Sequence, residues 1–125
     1  MRVLLDTSVI IAEAAPVGVE AAISVVTITE LHFGALLATD PEERARRNAR
    51  LTTVEATFDP LPVSVEIARY WGRLATAVAQ RGGKPRRRQL DLAIAATAFV
   101  EGVPLLTQNL ADFRIIEDLV DARLP

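Results

Sequence analysis

The chain has 125 residues, room for one domain and too few for two, and half of them are hydrophobic, enough to bury a sizeable core. Aromatic residues make up only 5%, so that core is expected to consist mainly of Ala, Val, Leu and Ile. The absence of cysteine and the single histidine exclude disulfides, thiolate zinc sites and histidine-rich metal centres, while a net charge of −2 gives no overall attraction to polyanions. Arg2 to Leu5 is a short run of strand formers ending at Asp6, a charge that comes too soon for a signal peptide. No run approaches the roughly 18 apolar residues of a membrane helix, so a cytoplasmic protein is expected.

Thr7-Ser8 can cap a helix over Val9 to Ala14, which Pro16 and Gly18 terminate. Val19 to Ala22 is compatible with a second short helix, and Ser24-Val25-Val26 reads as the second strand. Thr27 and Glu30 match a capping box that opens a helix to about Ala38. Asp40-Pro41-Glu42-Glu43 predicts another helix start, with proline at the first helical position and acids in the first turn. That helix should run to about Glu55. Phe58 to Val63 holds two prolines and is expected to form no more than a short edge strand.

Ser64 caps a helix carrying Ile67, Tyr70, Trp71, Leu74 and Val78 at helical spacing. Gly82-Gly83 ends it, and Lys84 to Arg88 forms a basic loop. Leu90 to Val100 is apolar almost all round apart from Asp91 and Thr97, as in a helix buried between other elements. Gly102 stops it. Val103 to Leu106 reads as a buried strand, Thr107 to Asp112 as a turn, and Phe113 to Ile116 as the last strand. Alternation of strands and helices predicts an α/β fold with a parallel sheet between helices.

Ligands of such sheets bind beyond the carboxyl ends of the strands. Asp6 ends the first strand there, Glu30 lies in the turn after the second, and Asp112 follows the fourth. Asp91 opens the helix leading into the fourth strand, which places it at the same rim. Each acid has a bland reading: Glu30 completes a cap, Asp91 and Asp112 favour helix starts. Together they are four carboxylates at one edge, which repel one another unless a cation holds them. Hard oxygen ligands suit Mg²⁺ or Mn²⁺. The residues alone thus point to metal-dependent phosphoryl transfer or phosphodiester cleavage, with Asp6 and Asp91 as the leading metal ligands. Glu30 and Asp112 would join directly or through water. Thr7, Ser8, Thr107 and Asn109 are either ordinary capping residues or groups that orient those ligands. Arg86, Arg87 and Arg88 are candidates for nucleic-acid phosphates, with a solvated surface as the alternative.

Leu4-Leu5-Asp6-Thr7-Ser8-Val9-Ile10-Ile11-Ala12 resembles the opening motif of PIN-domain ribonucleases, and Thr27-Ile28-Thr29-Glu30-Leu31 resembles their second acidic motif. Asp91-Leu92-Ala93-Ile94-Ala95-Ala96-Thr97-Ala98 is similar to the third, and Leu106-Thr107-Gln108-Asn109-Leu110-Ala111-Asp112-Phe113 to the fourth. The four come in family order and cover almost the whole chain; length and motif details resemble the VapC-type toxins of toxin–antitoxin pairs. The stretch between the first two motifs is shorter than is usual in that family. The resemblance implies a three-layer α/β/α PIN-like fold over residues 1–125 with a short central parallel sheet. It also implies a Mg²⁺- or Mn²⁺-dependent endoribonuclease, a homodimer and an antitoxin that blocks the site.

Other classes fit less well or predict different chemistry. A catalytically silent PIN-like module that only binds RNA or protein would carry the same acids. A receiver-type phospho-acceptor would need an acidic pair after the first strand and a lysine after the last, whereas Asp6 stands alone and the sole lysine, Lys84, is in a loop. An Asp-x-Asp phosphatase would need an aspartate where Ser8 stands. For the interface of a dimer, the expected surface is part of the apolar stripe on the Glu66 to Val78 segment, or the helix end at Leu36-Leu37.

Overall fold

Four short strands form a fully parallel sheet in the computed structural model, which describes all 125 residues. They are β1 (Arg2–Leu5), β2 (Glu20–Ala22), β3 (Leu105–Leu106) and β4 (Ala122–Arg123), in the spatial order β2-β1-β3-β4. β1 is central: Leu4 pairs with Ala22 on one side and with Leu105 on the other. Successive strand side chains point to opposite faces, and the core divides accordingly. Leu4 and Leu105 pack on one face with Ile67, Leu74, Ile94 and Ile116; Val3, Leu5 and Leu106 pack on the other with Val9, Leu31, Leu51 and Val54.

The helices are α1 (Thr7–Ile11), α2 (Val25–Leu37), α3 (Pro41–Thr57), α4 (Val65–Gln80) and α5 (Gln89–Glu101). α4 and α5 cover the first face; α1, α2 and α3 cover the second. This is the expected three-layer α/β/α arrangement. Two caps form as the sequence predicts, Asp40 accepting from Glu43 N–H at 3.0 Å and Ser64 from Ile67 N–H at 3.1 Å. α5 is buried from Leu92 through Ala98, and Thr97 satisfies its hydroxyl on the Ala93 carbonyl at 2.8 Å. Gly102 ends the helix with φ of 69°, a conformation that costs glycine little.

The structure corrects several local expectations. The second strand is Glu20–Ala22, where a short helix was expected, and Ser24 to Val26 is not a strand. Ser24 Oγ instead accepts from Val26 N–H at 3.0 Å and caps α2. α2 therefore starts before Thr27, and the Thr27–Glu30 capping box does not form. Glu30 lies in the second turn of α2 rather than its first. Phe58 to Val63 contributes only a single bridge, Leu61 to Ser24. α1 ends at Ile11, short of Ala14.

Phe113 to Ile116 is no strand either. Leu110–Ile116 is a 3-10 helix, and β4 follows it. Phe113 and Ile116 are buried while Arg114 is exposed, a three-residue spacing that one helical turn satisfies and a strand does not. The Pro85–Arg88 segment, expected as a loop, is a 3-10 turn leading into α5. No helix is long and apolar enough to cross a membrane.

Candidate active site

The register of the central strands builds the site. Leu5 pairs with Leu106, and Asp6 N–H continues the ladder by donating to the Leu106 carbonyl at 2.9 Å. Asp6 and Thr107 therefore leave the sheet side by side. Asp6 is only 4% exposed, and a carboxylate so buried needs donors. Its Oδ2 receives two: Ser8 Oγ at 2.6 Å and Thr107 Oγ1 at 2.9 Å. Ser8 Oγ accepts from Gln108 N–H at 3.0 Å, and Thr107 Oγ1 accepts from Asn109 N–H at 3.0 Å. The two hydroxyls thus tie the start of α1 to the turn after β3 while orienting Asp6.

Glu30 is held by a second hydroxyl relay. Thr7 Oγ1 donates to Glu30 Oε1 at 2.7 Å and lies 2.9 Å from Thr27 Oγ1. Thr27 and Glu30 are three apart on α2 and so share a face. The spacing that looked like a capping box aims both residues at Thr7. Thr7 and Ser8 do not cap α1 from the side chain; their hydroxyls serve the carboxylates.

Asp91 opens α5 and Asp112 lies in the first turn of the Leu110–Ile116 helix, as placed from the sequence. Burial pushes Asp91 up to about 6, the charges of Asp6 and Glu30 add to that, Arg88 opposes it and Asp112 contributes further. Glu30 is raised as well, by burial first and by Asp6 more weakly, against the hydrogen bond from Thr7 that lowers it. Asp91 therefore senses the other three acids, and Glu30 senses Asp6, across elements far apart in the chain.

One cation already answers part of that repulsion. Arg88 Nη1 lies 2.9 Å from Asp112 Oδ2 and 3.9 Å from Asp91 Oδ2. The sequence signal for this role was available, since Arg88 precedes Asp91 by three residues. Arg86 and Arg87 stay exposed, and Arg87 lines a groove with Lys84, Arg88 and Asp112. Asn109 takes part through its backbone, donating to Thr107 and accepting from Asp112 N–H at 2.9 Å; its side chain caps nothing.

As the side chains stand, no three acidic groups grip one ion directly. The donor set fits a small, partly hydrated cation. Mg²⁺ is typically bound by one or two carboxylates and keeps several waters. Here Asp6 offers Oδ1 while Oδ2 is hydrogen-bonded, Asp91 is half-buried beside it, and the raised carboxylates mark negative charge that a divalent ion would relieve.

The chain is similar to described proteins over most of its length. A family model described as PIN domain matches residues 3–118. The chain is 39% identical over 113 residues to Ribonuclease VapC5 of Mycobacterium tuberculosis, covering 85% of this chain and 82% of that protein. It is 31% identical over 127 residues to Ribonuclease VapC1 of Rickettsia felis, covering 95% and 93%. Among solved structures, a chain of VapBC-5 is similar with a TM-score of 0.83 and 37% identity, covering 98% of this chain and 96% of that one. VapBC-5 is a member of the VapBC family of toxin–antitoxin systems from Mycobacterium tuberculosis.

Proposed function

The chain belongs to the PIN domain family, and from that premise we propose that it cleaves RNA with the help of Mg²⁺ or Mn²⁺ at Asp6, Glu30, Asp91 and Asp112. It is a ribonuclease toxin of a type II toxin–antitoxin system, like the VapC proteins it resembles. The single observation that carries the metal-dependent reading is the convergence of four acids from four elements on a partly buried site, with Asp91 raised by burial first and then by the other three acids. Residues 1–125 act as one nuclease domain, in the cytoplasm.

A divalent ion bound there would supply positive charge to the scissile phosphate and lower the pKa of the attacking water. Asp6 and Asp91 would hold it, and Glu30 and Asp112 would complete the pocket directly or through water. Thr107 and Ser8 fix the Asp6 carboxylate, so its free oxygen is presented without reorganisation. Thr7 occupies Glu30 Oε1 and leaves Oε2 to take the proton of the attacking water. Water adds to phosphorus in line, the bond to the 3′ oxygen breaks, and that oxygen takes up a proton from solvent. The products carry a 5′ phosphate and a 3′ hydroxyl. Arg86 and Arg87 are free to meet RNA phosphates, and Arg88 does so from its place beside Asp112 and Asp91.

EDTA should abolish cleavage of RNA by the purified protein, and Mg²⁺ or Mn²⁺ should restore it. Asp6→Asn and Asp91→Asn should each lower the rate about a hundredfold or more, as for removal of a group that stabilises charge in the transition state, while the fold is kept. Cleavage that persists in EDTA, or in both variants, would refute the metal reading.

A further inference from the structure

The acids that hold a cation also repel the substrate. Every phosphate along an RNA strand is an anion, so cations flanking Asp6, Glu30, Asp91 and Asp112 are needed to seat it. On the Asp112 side, Lys84, Arg87 and Arg88 line such a groove. On the Glu30 side, a groove of about 270 Å³ runs between α2 and α3, with Glu30, Glu43, Arg47 and Arg50 among its walls. A second groove, with Glu13, Arg46 and Thr53 among its walls, shares Arg50 with it.

Arg50 differs from the other arginines of α3. Arg46 and Arg47 both pair with Glu43, and Arg47 Nη1 also donates to the Gly34 carbonyl at 2.7 Å. Arg44 Nε donates to the Ala38 carbonyl at 2.9 Å. No carboxylate lies within ion-pair distance of Arg50. Its Nε is buried and has no hydrogen-bond partner, alone among the buried side-chain nitrogens and oxygens. An always-charged guanidinium left in that state needs an explanation. Glu30 shares its groove, yet no ion pair joins the two, so Arg50 is not spent on the acid site.

We infer that Arg50 binds a backbone phosphate of the RNA strand on the Glu30 side of the scissile bond. A guanidinium fork matches phosphate oxygens in a bidentate geometry. Glu30 lines the same groove, so a strand lying in it meets the Glu30 edge of the acid site. This inference rests on the ribonuclease reading.

The test is steady-state cleavage of a short single-stranded RNA in Mg²⁺ by the unmodified chain, Arg50→Gln and Arg50→Lys, with the exposed Arg69→Gln as a control on α4. Arg50→Gln should raise KM roughly tenfold, lower kcat less than about twofold, and flatten the log–log salt dependence of kcat/KM by about 0.7, the value for one lost contact to a single strand. Arg50→Lys should fall between, and Arg69→Gln should match the unmodified chain. A neutral methylphosphonate at one phosphate outside the scissile bond should reproduce the KM rise, and adding it to Arg50→Gln should have no further effect. Unchanged KM and salt slope in Arg50→Gln, or additive effects of the methylphosphonate and Arg50→Gln, overturn the inference and leave the ribonuclease reading standing. So does an Arg50→Gln protein that cleaves normally but no longer binds a co-expressed inhibitor, which would assign the groove to a protein contact. An unmodified chain that cleaves no RNA overturns both.

Discussion

Asp91 is where the chemistry of this protein is most exposed to measurement. Its carboxyl is pushed up to about 6 from an ordinary 3.8, by burial above all and then by Asp6 and Glu30. Between those values the folded chain holds a proton that the unfolded chain has released. Stability of the metal-free protein must therefore rise as pH falls from about 7 to about 5. Glu30, raised as well, acts in the same direction. Glu43 and Asp118 are lowered by Arg47 and Arg81, so their stabilisation is lost only as pH falls below their ordinary values of 4.5 and 3.8, outside this window. Thermal unfolding in EDTA at pH 5, 6 and 7 should show the highest Tm at pH 5. Asp91→Asn should raise Tm at pH 7 and weaken the slope. A metal ion must displace that proton, so cleavage in limiting Mg²⁺ should fall below pH 6. A metal-free Tm independent of pH across this range would remove the case for a strained carboxylate cluster.

Among the elements, the turn between α4 and α5 sets the position of Arg88 and Asp91 together. Gly83 makes it possible. A Cβ there would stand 2.7 Å from Val78 Cγ1 and 2.8 Å from Ile115 Cδ1. Val78 belongs to the buried core and cannot retreat without disturbing its neighbours. Gly83 N–H also donates to the Val78 carbonyl at 2.8 Å, which pins the chain as it leaves α4. Gly83→Ala is expected to destabilise by about 1–3 kcal/mol, the usual cost of overpacking. Urea unfolding should show a lower midpoint with an unchanged slope. A midpoint equal to that of the unmodified chain would mean the turn has room the geometry denies it.

At the scale of the molecule, the apolar surface left over bears on partners. The stripe on α4 is largely absorbed within the chain: Ile67, Leu74 and Val78 are buried, and Tyr70 and Trp71 are half-buried, with Tyr70 stacked on Phe99 at 3.7 Å and bonded to the Leu119 carbonyl at 2.8 Å. The α2 end is different. Phe33, Leu36 and Leu37 lie on one helical face and are 60% or more exposed. An exposed apolar patch of this kind marks a contact surface. We propose that it receives the apolar helix of an antitoxin, and that the chain forms a homodimer. Light scattering at micromolar concentration should give twice the chain mass, and a monomer mass would refute the dimer. Co-expression with the neighbouring reading frame should suppress cleavage, and Leu36→Glu with Leu37→Glu should relieve that suppression at least in part. Suppression unaffected by the double change would move the contact elsewhere.

The residue types and their order determined the chemistry. Asp6, Glu30, Asp91 and Asp112 each sit where an alternating strand–helix pattern delivers them to one rim, because a crossover helix must begin at the edge where the strands end. Strong local signals also held: Asp40-Pro41 and Ser64 cap their helices, and Gly102 stops α5. Weak local signals did not. Val25 and Val26 are strand formers by preference, yet the Ser24 cap and the burial of Val26 and Leu31 draw them into α2. Glu20–Ala22 becomes a strand only because β1 offers it a ladder. Tertiary structure alone decided that Thr27 faces Thr7, that Arg88 closes over Asp112, and that Arg50 is left without an acid. Those outcomes depend on side chains from helices distant in sequence sharing one space, and no local preference encodes which charges find each other across it.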